Sequence, residues 1–179
     1  MGWFIGIGAV VLIILVWYIS TLNSLNHAVV KIDEAKSGID VALTKRFDSL
    51  TKLLDVTKGF AEHEARVISE SVKFRKGMSV PQMTEAASQM SDAFTRINAL
   101  AEAYPQLTSA PVFGNLQREI VDVEEHLQAA RRLYNSNVSS YNMMIVTFPT
   151  SIVANGRGMT KREFFEAEAA KRSDVKMQF

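Results

Sequence analysis

The uncharged stretch near the amino terminus constrains this chain most. From Trp3 to Ile19 the sequence WFIGIGAVVLIILVWYI contains no charged residue, and the first charged side chain after it is Lys31. Together with its neighbours, it would form a helix about 33 Å long, which matches a bilayer hydrocarbon core of about 30 Å. Aromatic residues stand near both ends, where their rings favour the two membrane–water interfaces. The segment predicts a single membrane-spanning anchor, built from Trp3, Phe4, Ile5, Leu12, Ile13, Leu15, Trp17 and Tyr18.

A cleaved signal peptide is the main alternative for such a segment. It would require a basic stretch before the apolar run and a small-residue cleavage site soon after it, and the sequence shows neither pattern. The orientation follows from Lys31 and Lys36, which come after the span, whereas no Lys or Arg precedes it. Because positive charge favours the cytoplasmic side, we predict a single-pass membrane protein with its amino terminus outside and its bulk in the cytoplasm.

The next part of the chain has the spacing of a packed helix. Apolar residues recur every seven positions from Leu25 to Phe74, with one interruption at Arg46. We therefore predict a helix over residues 22–76, with a bend or break near Gly59, because glycine weakens a helix interior.

Three further helices are predicted. One runs from about Val80 to Ala103, with Ser79 and Gln82 at capping-box spacing before it. A loop bounded by two prolines separates it from the next helix, which runs from about Val112 to Thr147. A short helix is predicted from Thr160 in TKREFFEAEAAKR, after a loop that includes NGRGMTK.

These elements predict an all-α fold. It consists of a single N-terminal transmembrane helix followed by an elongated antiparallel helix bundle with long, heptad-patterned helices. The predicted domains are a transmembrane anchor at residues 1–22, a helical bundle at 23–150, and a C-terminal loop with a short helix at 151–179. Heptad stripes of this kind can be satisfied within one chain or between chains, as in a coiled coil.

Composition argues against several kinds of site. The chain has no Cys, which removes disulfides, thiolate metal sites and Cys nucleophiles, and its three His are few for a metal or general-base site. A formal net charge of +1 does not favour nucleic-acid binding. His63 and Glu64 begin a zinc-protease helix motif, but Val67 stands where its second His belongs. We predict no catalytic residue, metal, cofactor or nucleic-acid partner.

Two features of the helices raise structural questions. Arg46 interrupts an apolar row, so its head either reaches water along the bundle surface or meets a partner, for which we expect Glu102 on the next helix. In YNSNVSSYN, Tyr134 and Tyr141 fall on the buried row of the last long helix, where large rings are favoured. Packing explains the tyrosines, but it does not explain why Asn135 and Asn142 follow them.

Several ordered motifs resemble the LemA family. The stretch IDVALTKRFDSLTKLL at residues 39–54 echoes the family's first motif, although Thr51 replaces its proline and puts a kink there in doubt. KGFAEHE, AEAYPQL, FGNLQREI and ARRLYNSNVSSYNMMIVTFPTSIVA match later ones. The matching residues that we assign a structural role are Asp40, Lys45, Arg46, Asp48, His63, Glu64, Tyr104, Pro105, Arg131, Tyr134, Asn135, Tyr141, Asn142, Phe148 and Pro149.

The resemblance implies an all-helical protein with one N-terminal membrane helix, an external amino terminus, a large cytoplasmic domain and no established enzymatic activity. One branch resembles a magnetosome protein needed to form that organelle's membrane, and members are often encoded near membrane metallopeptidases and TPM-domain proteins. The resemblance therefore implies a role at the bacterial inner membrane, in organisation or envelope maintenance. Our leading hypothesis is a membrane-anchored scaffold that self-associates on the lipid bilayer. An adaptor for a membrane metallopeptidase or transporter, and an enzyme with an unusual site at the Tyr–Asn pairs, are the alternatives.

Overall fold

The fold is helical throughout the residues that the computed structural model describes, which are 2–166. Within them no β-strand occurs, and the first helix is long and apolar at its start. The predicted all-α class is therefore confirmed. The helices are α1 (Gly2–Lys58), α2 (Glu62–Ser71), α3 (Val80–Ala103), α4 (Pro105–Thr108), α5 (Pro111–Val146) and α6 (Thr150–Gly156).

α1 continues without interruption from the apolar segment into the first heptad row. All members of that row on α1 are buried: Leu25, Ile32, Ile39, Arg46 and Leu53. The apolar ones each contribute about 1.5–3 kcal/mol by leaving water. The helix ends at Lys58, just before Gly59, and the amide of Ala61 donates to the carbonyl of Thr57 at 2.9 Å. The break expected near Gly59 is confirmed.

α2 is shorter than the pattern predicted. It ends at Ser71, and Val72 is extended, with φ −103° and ψ 118°. The backbone amide of Lys73 donates to Oε1 of Gln89 on α3 at 2.9 Å. The helical prediction for residues 72–76 is therefore wrong, because a bond to α3 holds this stretch outside the helix.

α3 has the predicted bounds, and its start follows the capping-box pattern. The backbone amide of Ser79 donates to Oε1 of Gln82 at 2.9 Å, which satisfies a donor that the helix itself leaves unpaired. The predicted loop after α3 contains the single turn α4, whose Leu107 is fully buried.

The carboxyl-terminal part differs most from the prediction. α5 ends at Val146 and the Phe148–Pro149 peptide is cis, after which α6 occupies a stretch predicted to be loop. α6 forms because Val153 and Ala154 are buried on one of its sides. The short helix predicted from Thr160 is wrong where it can be compared, since residues 160–166 have no regular secondary structure. Its remainder lies outside the described residues.

The described residues form two compact units. The first comprises α1 as far as Ala35 together with residues 133–164. The second comprises residues 36–132 with Phe165 and Glu166. The first unit contains two candidate sites and the second contains one.

Candidate functional site

The first candidate site is the apolar start of α1. It is long and apolar enough to cross a membrane, and none of its most apolar window is buried inside the protein. The side chains assigned to the anchor are exposed, except that Trp17 is half-buried. An isolated helix covered with exposed large apolar side chains is stable in lipid, which satisfies its surface, and this fits a membrane location.

The second candidate site is the Tyr–Asn repeat, which lies in the same unit. Tyr134 and Tyr141 are buried on α5, as predicted, with 3% and 2% of their surface exposed. Asn142 binds the backbone of Arg162 twice: its Nδ2 donates to the carbonyl at 3.0 Å, and the amide donates to its Oδ1 at 2.8 Å. The side-chain amide thus satisfies both backbone groups of one residue outside the helices.

Two further polar side chains of α5 bind backbone nearby. The hydroxyl of Tyr134 donates to the carbonyl of Glu163 at 3.0 Å. Nδ2 of Asn137 donates to the carbonyl of Lys31 on α1 at 3.0 Å. Tyr134, Asn137 and Asn142 are therefore bonded to the backbone of the chain itself. This explains why asparagine follows the second tyrosine: it holds the segment after α6.

We expect the buried hydroxyl of Tyr134 to make stability depend on alkaline pH. Burial raises its pKa above 10.0, and Glu163 and Asp33 raise it further, while Arg162 opposes them. The native protein then keeps this proton at a pH where the unfolded chain loses it. The stability that the protonated hydroxyl contributes is therefore complete below pH 10.0 and is lost as the pH rises through the pKa of the folded protein. The thermal unfolding midpoint should therefore fall more steeply with pH above pH 10.0 in the parent protein than in Tyr134→Phe. Parallel pH profiles would contradict this assignment.

The third candidate site is a buried polar cluster in the second unit. Arg46 is only 4% exposed, and its Nη1 lies 3.0 Å from Oε2 of Glu124 on α5. The same guanidinium donates to the carbonyl of Ala87 at 3.3 Å and to Oγ of Ser91 at 3.1 Å, both on α3. Arg46 thus connects α1 with two other helices.

The cluster corrects the partner expected for Arg46. Glu102 is exposed, whereas Glu124 lies four residues after the buried Ile120 and three before the buried Leu127. That spacing puts Glu124 beside the apolar row of α5, and it is the sequence signal that would have identified this carboxylate. The alternative in which the head of Arg46 reaches water is also wrong.

Two other contacts surround this cluster. Oγ of Ser49, on α1, donates to Oε1 of Glu119 on α5 at 2.9 Å. The guanidinium of Arg131 lies over the ring of Phe165, 4.8 Å from its centroid, at a distance typical of a cation–π contact. No motif in the sequence pointed to Ser49, Ser91 or Glu119.

The sequence of the chain matches one known family. The pattern of the LemA family covers residues 35–179, which is most of the chain. The chain belongs to the LemA family. This confirms the resemblance carried by the motifs.

Two relatives extend over most of the chain. Protein LemA of Metamycoplasma hominis is 28% identical over 163 residues, which cover 88% of this chain and 74% of the relative. Magnetosome protein MamQ of Magnetospirillum gryphiswaldense is 24% identical over 196 aligned positions, covering 90% and 72%. Neither name denotes an enzyme, and together with the helical fold they identify a membrane-associated helical protein.

The LemA motif residues divide by burial into three groups. Arg46, Arg131, Tyr134 and Tyr141 are buried; Asp40, Tyr104, Asn135 and Asn142 are half-buried; Lys45, Asp48, His63, Glu64, Pro105, Phe148 and Pro149 are exposed. The buried members include the guanidinium of the polar cluster and the rings of the Tyr–Asn repeat. Among the described residues no group of three or more His, Asp or Glu side chains is arranged to hold a metal ion.

Proposed function

We propose that this LemA family protein is a membrane-anchored helical scaffold that self-associates and organises or shapes the bacterial inner membrane or envelope. The observation that carries the proposal is the direct passage of α1 from its apolar segment into packed structure. No linker separates them, because Leu25 and Ile32 of the same helix are buried and the Lys31 carbonyl accepts a bond from Asn137. A stiff connection transmits the orientation of a protein body to the membrane, which a flexible tether would not do.

On α1 and α5 the heptad rows are buried, so the surfaces that these two helices offer for self-association lie outside the rows. On α5 that row is buried from Phe113 to Tyr141, so the chain satisfies it alone. Other large apolar side chains remain exposed, and contacts between copies would cover them: Val30, Val41, Val112 and Val121. Similarity to a protein named for the magnetosome supports a role in organising a cellular structure. Within the proposal, the cytoplasm holds the bulk of the chain, since Lys31 and Lys36 follow the span.

The mass of the full-length protein in mild detergent tests the proposal. By light scattering with electron microscopy, we expect a closed assembly of many copies. Val41→Lys should lower the mass, because it places a charge on an exposed apolar position of α1, whereas Thr51→Lys, at an exposed polar position of the same helix, should not. A monomer without a bound partner would contradict the scaffold.

The second candidate function is an adaptor for a membrane protein, and a groove between α3 and α5 favours it. The groove has a volume of about 500 Å³ and is lined by both apolar and polar side chains, including Phe94, Asn98, Arg118, Val121 and Asp122. Such a mixed surface suits one partner better than many copies of the same chain. A monomer that co-purifies with one stoichiometric membrane protein, such as a metallopeptidase or transporter, would support the adaptor in place of the scaffold.

A further inference from the structure

Residues at the end of α5 and on α6 expose large apolar side chains in the first unit. Phe148 is 77% exposed, Met143 64%, Ile152 59% and Val146 58%. We call these four residues the apolar corner. They are neighbours in sequence around the turn between the two helices, whereas Tyr141, Ile145 and Val153, which are close to them in sequence, are buried.

The position of the apolar corner along α1 follows from a hydrogen bond. Asn137 of α5 binds the carbonyl of Lys31, and Tyr134 of α5 lies close enough to Asp33 of α1 to feel its charge. Residue numbers thus fall along α5 as they rise along α1, so the two helices run in opposite directions there. Moving nine residues on from Asn137 reaches Val146, the last residue of α5, and moving the same number back from Lys31 reaches Leu22. The end of α5 thus lies at about the level of Leu22, since both helices rise by about 1.5 Å per residue, and Phe148 follows two residues later, close to the end of the apolar span.

The charge pattern agrees with that position. From Leu133 to Gly156 the sequence has no Asp, Glu, Lys, Arg or His, and α1 has no formal charge before Lys31. Exposed cations follow the uncharged stretch at once, at Arg157 and Lys161. An uncharged surface with apolar side chains, bordered by cations, is suited to the boundary between acyl chains and anionic headgroups.

We propose that the apolar corner enters the membrane interface beside the anchor, so that the protein contacts the cytoplasmic leaflet at two places. The proposal rests on the anchoring in the proposed function, but not on self-association. Its occupant is lipid and not a second copy, because the corner lies close to the end of the apolar span and in an uncharged stretch that cations follow. A wedge beside a fixed helix displaces headgroups in one leaflet only, which gives the protein a means to bend membrane.

Site-directed spin labelling of the full-length protein tests the proposal, since the chain lacks Cys and each introduced Cys is unique. Three variants would be labelled in vesicles of phosphatidylcholine and phosphatidylglycerol: Ile152→Cys at the corner, Leu133→Cys as its control, and Leu12→Cys in the span. Ile152 and Leu133 are matched, with 59% and 58% exposure in the same unit, but Leu133 lies about 20 Å further along α5 from Val146.

We expect the label at 152 to collide more often with oxygen, which dissolves in lipid, than with a water-soluble nickel chelate, as the label at 12 does. The label at 133 should show the reverse. Water-like values at both 152 and 133 would overturn the proposal. Protection from both reagents at 152, with broadening from a nearby label, would also overturn it and indicate a second copy there.

The same samples separate this inference from the proposed function. If the label at 152 is lipid-like and the protein has the mass of a monomer, insertion of the apolar corner is supported and the self-associating scaffold is refuted. If the label at 152 is water-like and the protein forms a large assembly, insertion of the apolar corner is refuted and the scaffold is supported. A water-like label at 12 would refute the anchor and both proposals with it.

Discussion

Replacing Glu124 by Gln is expected to lower the thermal unfolding midpoint of the full-length protein in mild detergent by roughly 6–12 °C, the effect of about 3 kcal/mol on a chain of this size. The reason is the burial of Arg46, which stays protonated at any pH a protein meets. With Gln at position 124 its charge remains among α1, α3 and α5 without the carboxylate now 3.0 Å away. The side chain of Glu124 is 26% exposed, so water reaches the pair and we take the lower end of the range for broken buried pairs.

Two further variants give this expectation its controls. Glu102→Gln removes an exposed carboxylate from α3 and should change stability by less than about 0.5 kcal/mol. The double variant Arg46→Met with Glu124→Leu removes both charges, so we expect it to be more stable than Glu124→Gln. Circular dichroism would follow the unfolding of all three. Equal midpoints for Glu124→Gln and the parent protein would show that the hydrogen bonds to Ala87 and Ser91 are enough for Arg46.

The sequence showed that Arg46 interrupts an apolar row, but the partner predicted for it, Glu102, was wrong. Its place in an apolar row shows that a charge enters a packed surface. The row does not show which helix faces it there, because α3 and α5 carry similar apolar stripes and either could lie opposite. Glu102 was expected from the order of helices along the chain, whereas the structure puts Glu124 of α5 beside Arg46. Helix pairing is a tertiary property that local periodicity does not encode.

Helix ends were predictable where the signal is local. Gly59 marks a break and Ser79 with Gln82 marks a start because these residues act on the backbone beside them. The stretch from Thr160 has an equally good local signal, with Glu163 at capping-box spacing, yet residues 160–166 are not helical. Bonds from Asn142 and Tyr134 to the backbone of this stretch replace the ones that a helix would make, so tertiary contacts outweigh propensity.

Only the local part of the Tyr–Asn repeat's role could be predicted from the sequence, because the rest depends on tertiary contacts. The seven-residue step placed both rings in the core, and burial confirms that placement. The role of Asn142 needs a partner twenty residues away, in a segment that the sequence predicted to be helical. α6 was missed because Pro149, Asn155 and Gly156 are typical of loops, although the burial of Val153 and Ala154 is enough to stabilise a short helix there.

Replacing Asn142 by Ala is expected to release the non-helical segment that follows α6. The side chain makes two bonds to Arg162, each contributing about 1 kcal/mol, so their loss should raise the population of the open segment by roughly 30-fold. Trypsin cleaves after Lys161 and Arg162, and cleavage that is slower than opening and closing reports this population. We therefore expect cleavage there to accelerate by about the same factor, as measured by mass spectrometry of timed digests.

The controls separate a local release from general loss of structure. Ser140→Ala changes a neighbouring side chain whose hydroxyl donates within α5, to the carbonyl of Ser136, and should leave cleavage at 161 and 162 unchanged. Asn142→Asp keeps an acceptor for the amide of Arg162 but loses the donor to its carbonyl, so an intermediate rate is expected. Arg157 is exposed and precedes the bonded residues, so cleavage after it serves as an internal reference. If Asn142→Ala and Ser140→Ala were cleaved at equal rates, the second asparagine of the repeat would not hold this segment, and Tyr134 and the cation–π contact at Phe165 would have to do so instead.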